Sequence, residues 1–492
     1  GGIILHPTSL PGQYGIGELS KELFRFLDYL YKYGIKLWQI LPLNPTGYGD
    51  SPYQCLSAFA GNPYLISLDD LLSMDLVKTV DLQPLTALPH DSVDFGRLIP
   101  LKWQVLRKAY DKFKQDQPSE MAEGFREFRK AQVHWLRDFS LFFSIKTTLN
   151  GQHWASWPLK LRLREPDALR DFTKSHQDEI SFVEFVQFLF SSQWARVKEY
   201  AHSKGISIIG DLPIFVAHDS ADVWAHPELF FLNDDRQLTV VAGVPPDHFS
   251  STGQRWGNPL YRWNIIEKDN SWWIQRFRHI LTQVDFVRID HFRGFEAYWE
   301  IAASEPTAVR GKWVKGPGKK FFSSLGTLGH LPVIAEDLGY ITPAVHQIRE
   351  KAGFPGMRIL QYAFGDLSTS FSHNNYLPHN FDSPHTVCYT GSHDNDTTLG
   401  WIQRISQEER QKLVNYLGSN EKDVVGDLIR LAWSSTAVFA IIPLQDVLRL
   451  DNSARMNYPS TDRGNWVWRF DWSQMTDHKW EELREFSNLY NR

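Results

Sequence analysis

Phe286-Val287-Arg288-Ile289-Asp290-His291-Phe292-Arg293 is the stretch on which the fold turns. A short apolar run with β-branched residues reads as a strand buried on both faces, as parallel strands are. Its charged side chains gather at the C-terminal end. Three other stretches follow the same pattern: Ile206-Ser207-Ile208-Ile209-Gly210-Asp211, Val333-Ile334-Ala335-Glu336-Asp337, and Val387-Cys388-Tyr389-Thr390-Gly391-Ser392-His393-Asp394. Working outward, short apolar runs bounded by turn residues lie at 2–5, 36–41, 205–211, 284–290, 332–336, 357–362, 386–390 and 438–442. Helical patterns separate them. Leu19, Leu23, Phe26, Leu27, Leu30 and Tyr31 make one apolar stripe, and Gly34 stands where a helix would close. Strand alternating with helix over eight repeats predicts an α/β protein, a (β/α)8 barrel with its site at the C-terminal ends of the strands.

The spacing is uneven. Roughly 160 residues separate the second and third strands, too many for a plain loop. Phe128, Trp135, Phe139 and Phe142 suggest one helical stripe there, and Phe182, Val186, Leu189 and Val197 another. The expected organisation is therefore a discontinuous barrel over 1–65 and 205–492 with a mostly helical insertion over 66–204. A second insertion over 212–283 is expected to carry a shaped loop. There Pro and Gly punctuate Val244-Pro245-Pro246-Asp247-His248-Phe249 and Gly253-Gln254-Arg255-Trp256-Gly257-Asn258-Pro259.

Composition narrows the function. Of 492 residues, 42 % are apolar and 22 % charged, so the chain can bury a large core and is not disordered. The net charge of −5 leaves no basic footprint for nucleic acid. No apolar run approaches the roughly 20 residues that span a membrane. The two cysteines, Cys55 and Cys388, make no disulfide framework and fit a reducing compartment. Cytoplasm is the expected location, with a plastid, after loss of a transit peptide, as the alternative. Aromatic residues reach 14 %, with 19 Trp. Most suit a core, but aromatic plates also stack on the C–H faces of sugars. His218, His226, His248 and His279 have no ligand spacing that would mark a metal site.

The strand-end carboxylates carry the chemistry. Each alone could cap the next helix, but capping does not explain the accompanying Arg288, His291 and His393. Two opposed carboxylates, one ionised and one protonated, suffice to break a glycosidic bond. Arg288 and Asp290, two apart on a strand, share a face, so Arg288 is expected to lower the pKa of Asp290. Glu336, close to negative charge, is expected to keep its proton and serve as the acid. Asp394 supplies a third carboxylate.

The set Asp211, Arg288-Ile289-Asp290-His291, Glu336 and His393-Asp394 resembles the four short conserved regions of the α-amylase clan. Longer strings narrow the resemblance. They are His6-Pro7-Thr8-Ser9-Leu10-Pro11-Gly12, Ser51-Pro52-Tyr53-Gln54, the Val244–Asp247 and Gln254–Pro259 strings, and Arg455-Met456-Asn457 with Asn465-Trp466. All are similar to the 4-α-glucanotransferases, the amylomaltases or disproportionating enzymes. The resemblance implies that Asp290 is the nucleophile, Glu336 the acid/base and Asp394 the stabiliser of the transition state. It implies that Ser51, Tyr53, Asp211, Arg288, Asp366, His393 and Asn465 hold the donor sugar, with Gln254 and Trp256 on a loop over the cleft. One departure is visible: Tyr458-Pro459-Ser460-Thr461 stands where the family has Pro-Gly-Thr.

The expected reaction is a retaining double displacement that moves α-1,4-glucan segments between malto-oligosaccharides, starch or glycogen. It requires no metal or organic cofactor. A glucan hydrolase would share the catalytic trio, and a non-catalytic glucan binder would share the barrel and its aromatics.

Overall fold

The computed structural model describes residues 1–246, 250–365 and 371–492. Its strands are β1 (Gly2–Ile4), β2 (Leu37–Gln39), β3 (Ser207–Pro213), β4 (Val240–Val244), β5 (Gln254–Pro259), β6 (Phe286–Asp290), β7 (Ala297–Ala302), β8 (Gly311–Lys315), β9 (Val333–Ala335), β10 (Gly356–Ile359), β11 (Thr386–Tyr389) and β12 (Phe439–Pro443). Eight of them close a parallel barrel in the order β1-β2-β3-β6-β9-β10-β11-β12. These are the eight runs expected from the sequence.

Side-chain alternation explains why both strand faces are apolar. Ile3, Trp38, Ile208, Val287, Ile289, Val333, Ala335 and Cys388 join the large core shared with the surrounding helices. Their neighbours Ile4, Leu37, Ile209, Ile334, Met357, Val387, Tyr389 and Ile441 form a separate cluster that fills the barrel. Continuing the inward register places Asp211 above Ile209, Arg288 and Asp290 above Phe286, and Glu336 above Ile334. The same two-residue period that packs the barrel therefore delivers the charged groups to its C-terminal mouth.

The first crossover helix runs Lys21–Lys32. Ser20 caps it by accepting from the Glu22 amide at 3.4 Å, and Gly34, at φ +75°, takes the left-handed conformation that ends it. Leu23, Phe26, Leu27 and Leu30 are buried, while Tyr31 at the stripe's edge is 60 % exposed.

Between β2 and β3 lie the helices Phe95–Asp116, Ser119–Ala131, Val133–Thr148, Pro166–Ser175 and Gln177–Ser203. The expected stripe through Phe128 and Trp135 is divided between two helices that meet at Gln132. The 27-residue helix Gln177–Ser203 serves both regions. Its first half stacks Phe185 on Phe113 at 4.6 Å within the insertion. Its second half sets Trp194 6.0 Å from Trp38 on the barrel.

The segment after β3 is more regular than the expected loop. Its β4 and β5 join β7 and β8, which follow β6, in an antiparallel sheet ordered β5-β4-β7-β8. Trp256 thus lies on a strand rather than in a loop, and Gly311 opens β8. Cys55 and Cys388 are buried free thiols, and burial pushes both up to about 12. Among the described residues, no helix is long and apolar enough to cross a membrane.

Candidate active site

Arg288 is the hub of the barrel mouth. Its guanidinium donates to Asp211 Oδ2 at 2.6 Å and to Asp290 Oδ1 at 3.0 Å. The Tyr53 hydroxyl donates to the same Asp211 oxygen at 2.7 Å and lies 2.9 Å from His393 Nε2. The Tyr53 and His393 rings also stack, centroids 5.2 Å apart. His393 Nε2 continues to Asp394 Oδ2 at 3.3 Å. One polar chain thus runs from Asp290 through Arg288, Asp211, Tyr53 and His393 to Asp394. Asp211 Oδ1 is buried and has no partner among the described residues.

Glu336 is held differently. Its Oε2 accepts the His291 amide at 2.8 Å and its Oε1 the Leu338 amide at 2.9 Å. Two backbone donors orient the carboxyl without a side-chain cation. His291 adopts φ +54°, a left-handed conformation uncommon outside glycine, which turns its N–H toward Glu336. Burial and the Arg293 charge push the His291 imidazole down to about 3, so this ring is neutral.

Burial lifts Glu336 to about 7, and the Asp290 charge adds to the rise. The expected lowering of Asp290 does not occur. Burial outweighs Arg288, whose charge is divided between Asp290 and Asp211, and Asp290 rises to about 6. Its value stays below that of Glu336. Asp394 behaves oppositely. Burial alone would raise it, but His393, Asn457 and Arg288 together hold it well below the usual carboxylate range.

Ser51 Oγ accepts the Tyr53 amide at 3.2 Å and shapes the turn that presents the phenol. Trp256 meets the His291 ring edge-on at 4.7 Å, and its indole N–H donates to Gln254 Oε1 at 3.1 Å. The motif residue Gln54 donates to Asn258 on β5 at 2.9 Å, so the turn bearing Tyr53 is tied to the strand bearing Trp256. Asn465 is spent locally: its amide accepts the Tyr458 N–H at 2.9 Å and donates to Thr461 O at 3.0 Å. Asp366, like Asp247 and His248, lies outside the described residues.

Several contributors escaped the sequence reading. Asn457 donates to Asp394 Oδ1 at 2.6 Å, and Arg455 donates to the Asp394 carbonyl at 2.6 Å. Trp466, at φ +65°, sets its ring 5.8 Å from Tyr53 and 6.1 Å from His393. The Arg-Met-Asn and Asn-Trp strings were visible as motifs, but nothing in their spacing reveals that they fold back beneath Asp394.

A barrel mouth carrying these three carboxylates matches one family along nearly its whole length. The family model described as 4-alpha-glucanotransferase, glycoside hydrolase 77, matches residues 5–475. The chain belongs to this family. It is 48 % identical to the 4-alpha-glucanotransferase of Thermus thermophilus, over all of this chain and 98 % of that one. It is 43 % identical to the chloroplastic/amyloplastic 4-alpha-glucanotransferase of Solanum tuberosum, over all of this chain and 86 % of that one. The amylomaltase of Streptococcus agalactiae in complex with acarbose superposes with a TM-score of 0.96 at 37 % identity, covering 100 % of this chain and 99 % of that one.

Proposed function

We propose that this 4-α-glucanotransferase uses Asp290 as nucleophile, Glu336 as acid/base and Asp394 as transition-state stabiliser. Its substrates are α-1,4-glucans: malto-oligosaccharides, starch or glycogen as donor, and glucose or a glucan as acceptor. The observation that carries the reading is the pairing of Asp290 with Glu336. Ile289 pairs with Ala335 in the barrel register, so the next residues, Asp290 and Glu336, root side by side on strands about 4.8 Å apart. That neighbourhood brings the two carboxyl groups within range of the separation of about 5–5.5 Å that a retaining enzyme needs.

In the first step an Asp290 oxygen attacks the anomeric carbon. Glu336 gives its proton to the departing 4-oxygen, and the leaving saccharide departs as an alcohol. Positive charge building on the sugar ring is opposed by Asp394, which its low pKa keeps ionised. Asp211, Tyr53, Arg288 and His393 hold the donor sugar. In the second step Glu336, now a carboxylate, removes the proton from an acceptor 4-hydroxyl. That oxygen attacks the anomeric carbon, the bond to Asp290 breaks, and an α-1,4 link is remade.

Water competes for the intermediate, and an acceptor wins when it is held in place. Trp256 on β5 packs against the ring of His291, whose amide holds Glu336, and an apolar plate beside that residue supports exclusion of water. The cytoplasm is the compartment that suits two unpaired thiols.

The test is incubation with maltotriose alone. Glucose together with chains longer than three units, at constant reducing ends, is the expected outcome. Shorter products with rising reducing ends would mean hydrolysis. Binding without any product would assign the chain to glucan capture.

A further inference from the structure

Beyond Glu336 the surface carries two exposed aromatic rings that the reaction above does not use. Trp313 on β8 is 37 % exposed, and Tyr340 is 71 % exposed. Between them lies Arg293, only 5 % exposed, with its guanidinium carbon 3.7 Å from the centre of the Trp313 ring and 5.7 Å from that of Tyr340. Arg293 also donates to the Tyr340 carbonyl. Trp299, paired with Trp313 across the β7–β8 ladder, meets it edge-to-face at 5.2 Å. Trp313 is thus braced from two directions, so little side-chain freedom remains to be lost on binding.

We propose that Trp313 and Tyr340 form a glucan-binding platform for the acceptor side of the substrate. The proposal rests on the transferase reading above. The chain itself sets the position: Arg293 lies two residues beyond His291, and Tyr340 two beyond Leu338, and those two backbone amides hold Glu336. Because the acid/base protonates the leaving oxygen and later deprotonates the acceptor, its side of the site is the leaving-group and acceptor side. The chemistry of the patch fits a neutral polymer. The nearby lysines are paired, Lys312 with Glu300 at 3.1 Å and Lys315 with Glu296, and the Arg293 guanidinium is buried against the Trp313 ring. What remains on offer is two aromatic faces, which suit the C–H faces of successive glucose units. A chain reaching past the reacting bond would gain them, whereas glucose alone would not.

The test is a competition for one donor between labelled maltohexaose and labelled glucose, both below saturation. It uses the wild-type protein, Trp313→Ala, Tyr340→Ala and Tyr340→Phe. Tyr340→Phe guards against disturbance of Arg293, because it keeps both the ring that Arg293 approaches and the backbone carbonyl to which it donates. The hexaose-to-glucose transfer ratio is expected to fall about threefold to tenfold in each alanine variant. It should stay near the wild-type value in Tyr340→Phe, which keeps the ring. An unchanged ratio in both alanine variants, including an equal loss with both acceptors, overturns the platform. So does a fall in Tyr340→Phe as large as in Tyr340→Ala. A change of oligomeric state with an unchanged ratio would assign the patch to a second copy of the chain and likewise overturn the proposal. Failure of the wild-type protein to transfer to either acceptor would count against the transferase reading instead.

Discussion

Asp290 and Glu336 sit on neighbouring strands, yet only Asp290 has a cation in contact, and that difference sets a pH profile. The cycle needs Asp290 ionised and Glu336 protonated. Burial raises both, to about 6 and about 7, and the two protons leave in steps that belong to the pair. kcat/KM for transfer should therefore rise as the first proton leaves, peak between about 6 and 7, and fall as the second leaves. Glu336→Gln should lower kcat about 10²- to 10⁴-fold and remove the alkaline limb. An alkaline limb that survives this substitution would remove Glu336 from the acid role. The carboxylates themselves were legible, because an apolar strand that ends on Asp or Glu announces its position. Their charge state was not. Arg288 is visible two residues before Asp290, but its sharing with Asp211 depends on a contact between strands 77 residues apart. Asn457 was hidden for the same reason, since it reaches Asp394 across 63 residues of sequence.

The barrel strands could be read singly because each is a continuous apolar run whose two faces meet two different cores. The strands β4, β5, β7 and β8 could not. They are partly exposed and paired across separate insertions, so the Gly and Pro residues around Val244 and Gln254 read as loop punctuation. The turn at 458–461 shows how far a local departure can be read. Where the family has glycine, Ser460 takes φ +67°, a region that favours glycine. The turn is held by Thr461 donating to Tyr458 O at 3.2 Å and by the Asn465 amide. Left-handed backbone costs a non-glycine residue about 1–2 kcal/mol, partly offset by the entropy that glycine loses on folding. Ser460→Gly is therefore expected to stabilise the protein by about 0.5–1 kcal/mol in urea unfolding, with the transfer pH profile unchanged. A loss of stability would mean that the serine hydroxyl or the stiffer chain outweighs the relief of strain.

Over the whole molecule, the inserted helices are fixed to the barrel by a charged contact inside the core. Lys102, on the helix Phe95–Asp116, is fully buried and pairs with Glu18, which precedes the first barrel helix and is 4 % exposed. Lys102 also donates to the Ile66 carbonyl at 2.7 Å, and Glu18 accepts the Leu68 amide at 3.0 Å. Four groups from three segments thus close one network at the point where the chain leaves the barrel. Burial pushes Glu18 up and Lys102 down, and each partner's charge opposes the other's shift. The pair is favourable only as a unit, because each ion has lost its water. Lys102→Met should destabilise the protein by about 3–5 kcal/mol, since it leaves Glu18 buried without its cation. Adding Glu18→Gln removes the stranded charge and should restore part of that loss, although the amide recovers no ion pair. A double-mutant cycle in urea measures the coupling directly. Additive losses would mean that the two charges do not act together, and that apolar packing alone holds the insertion on the barrel.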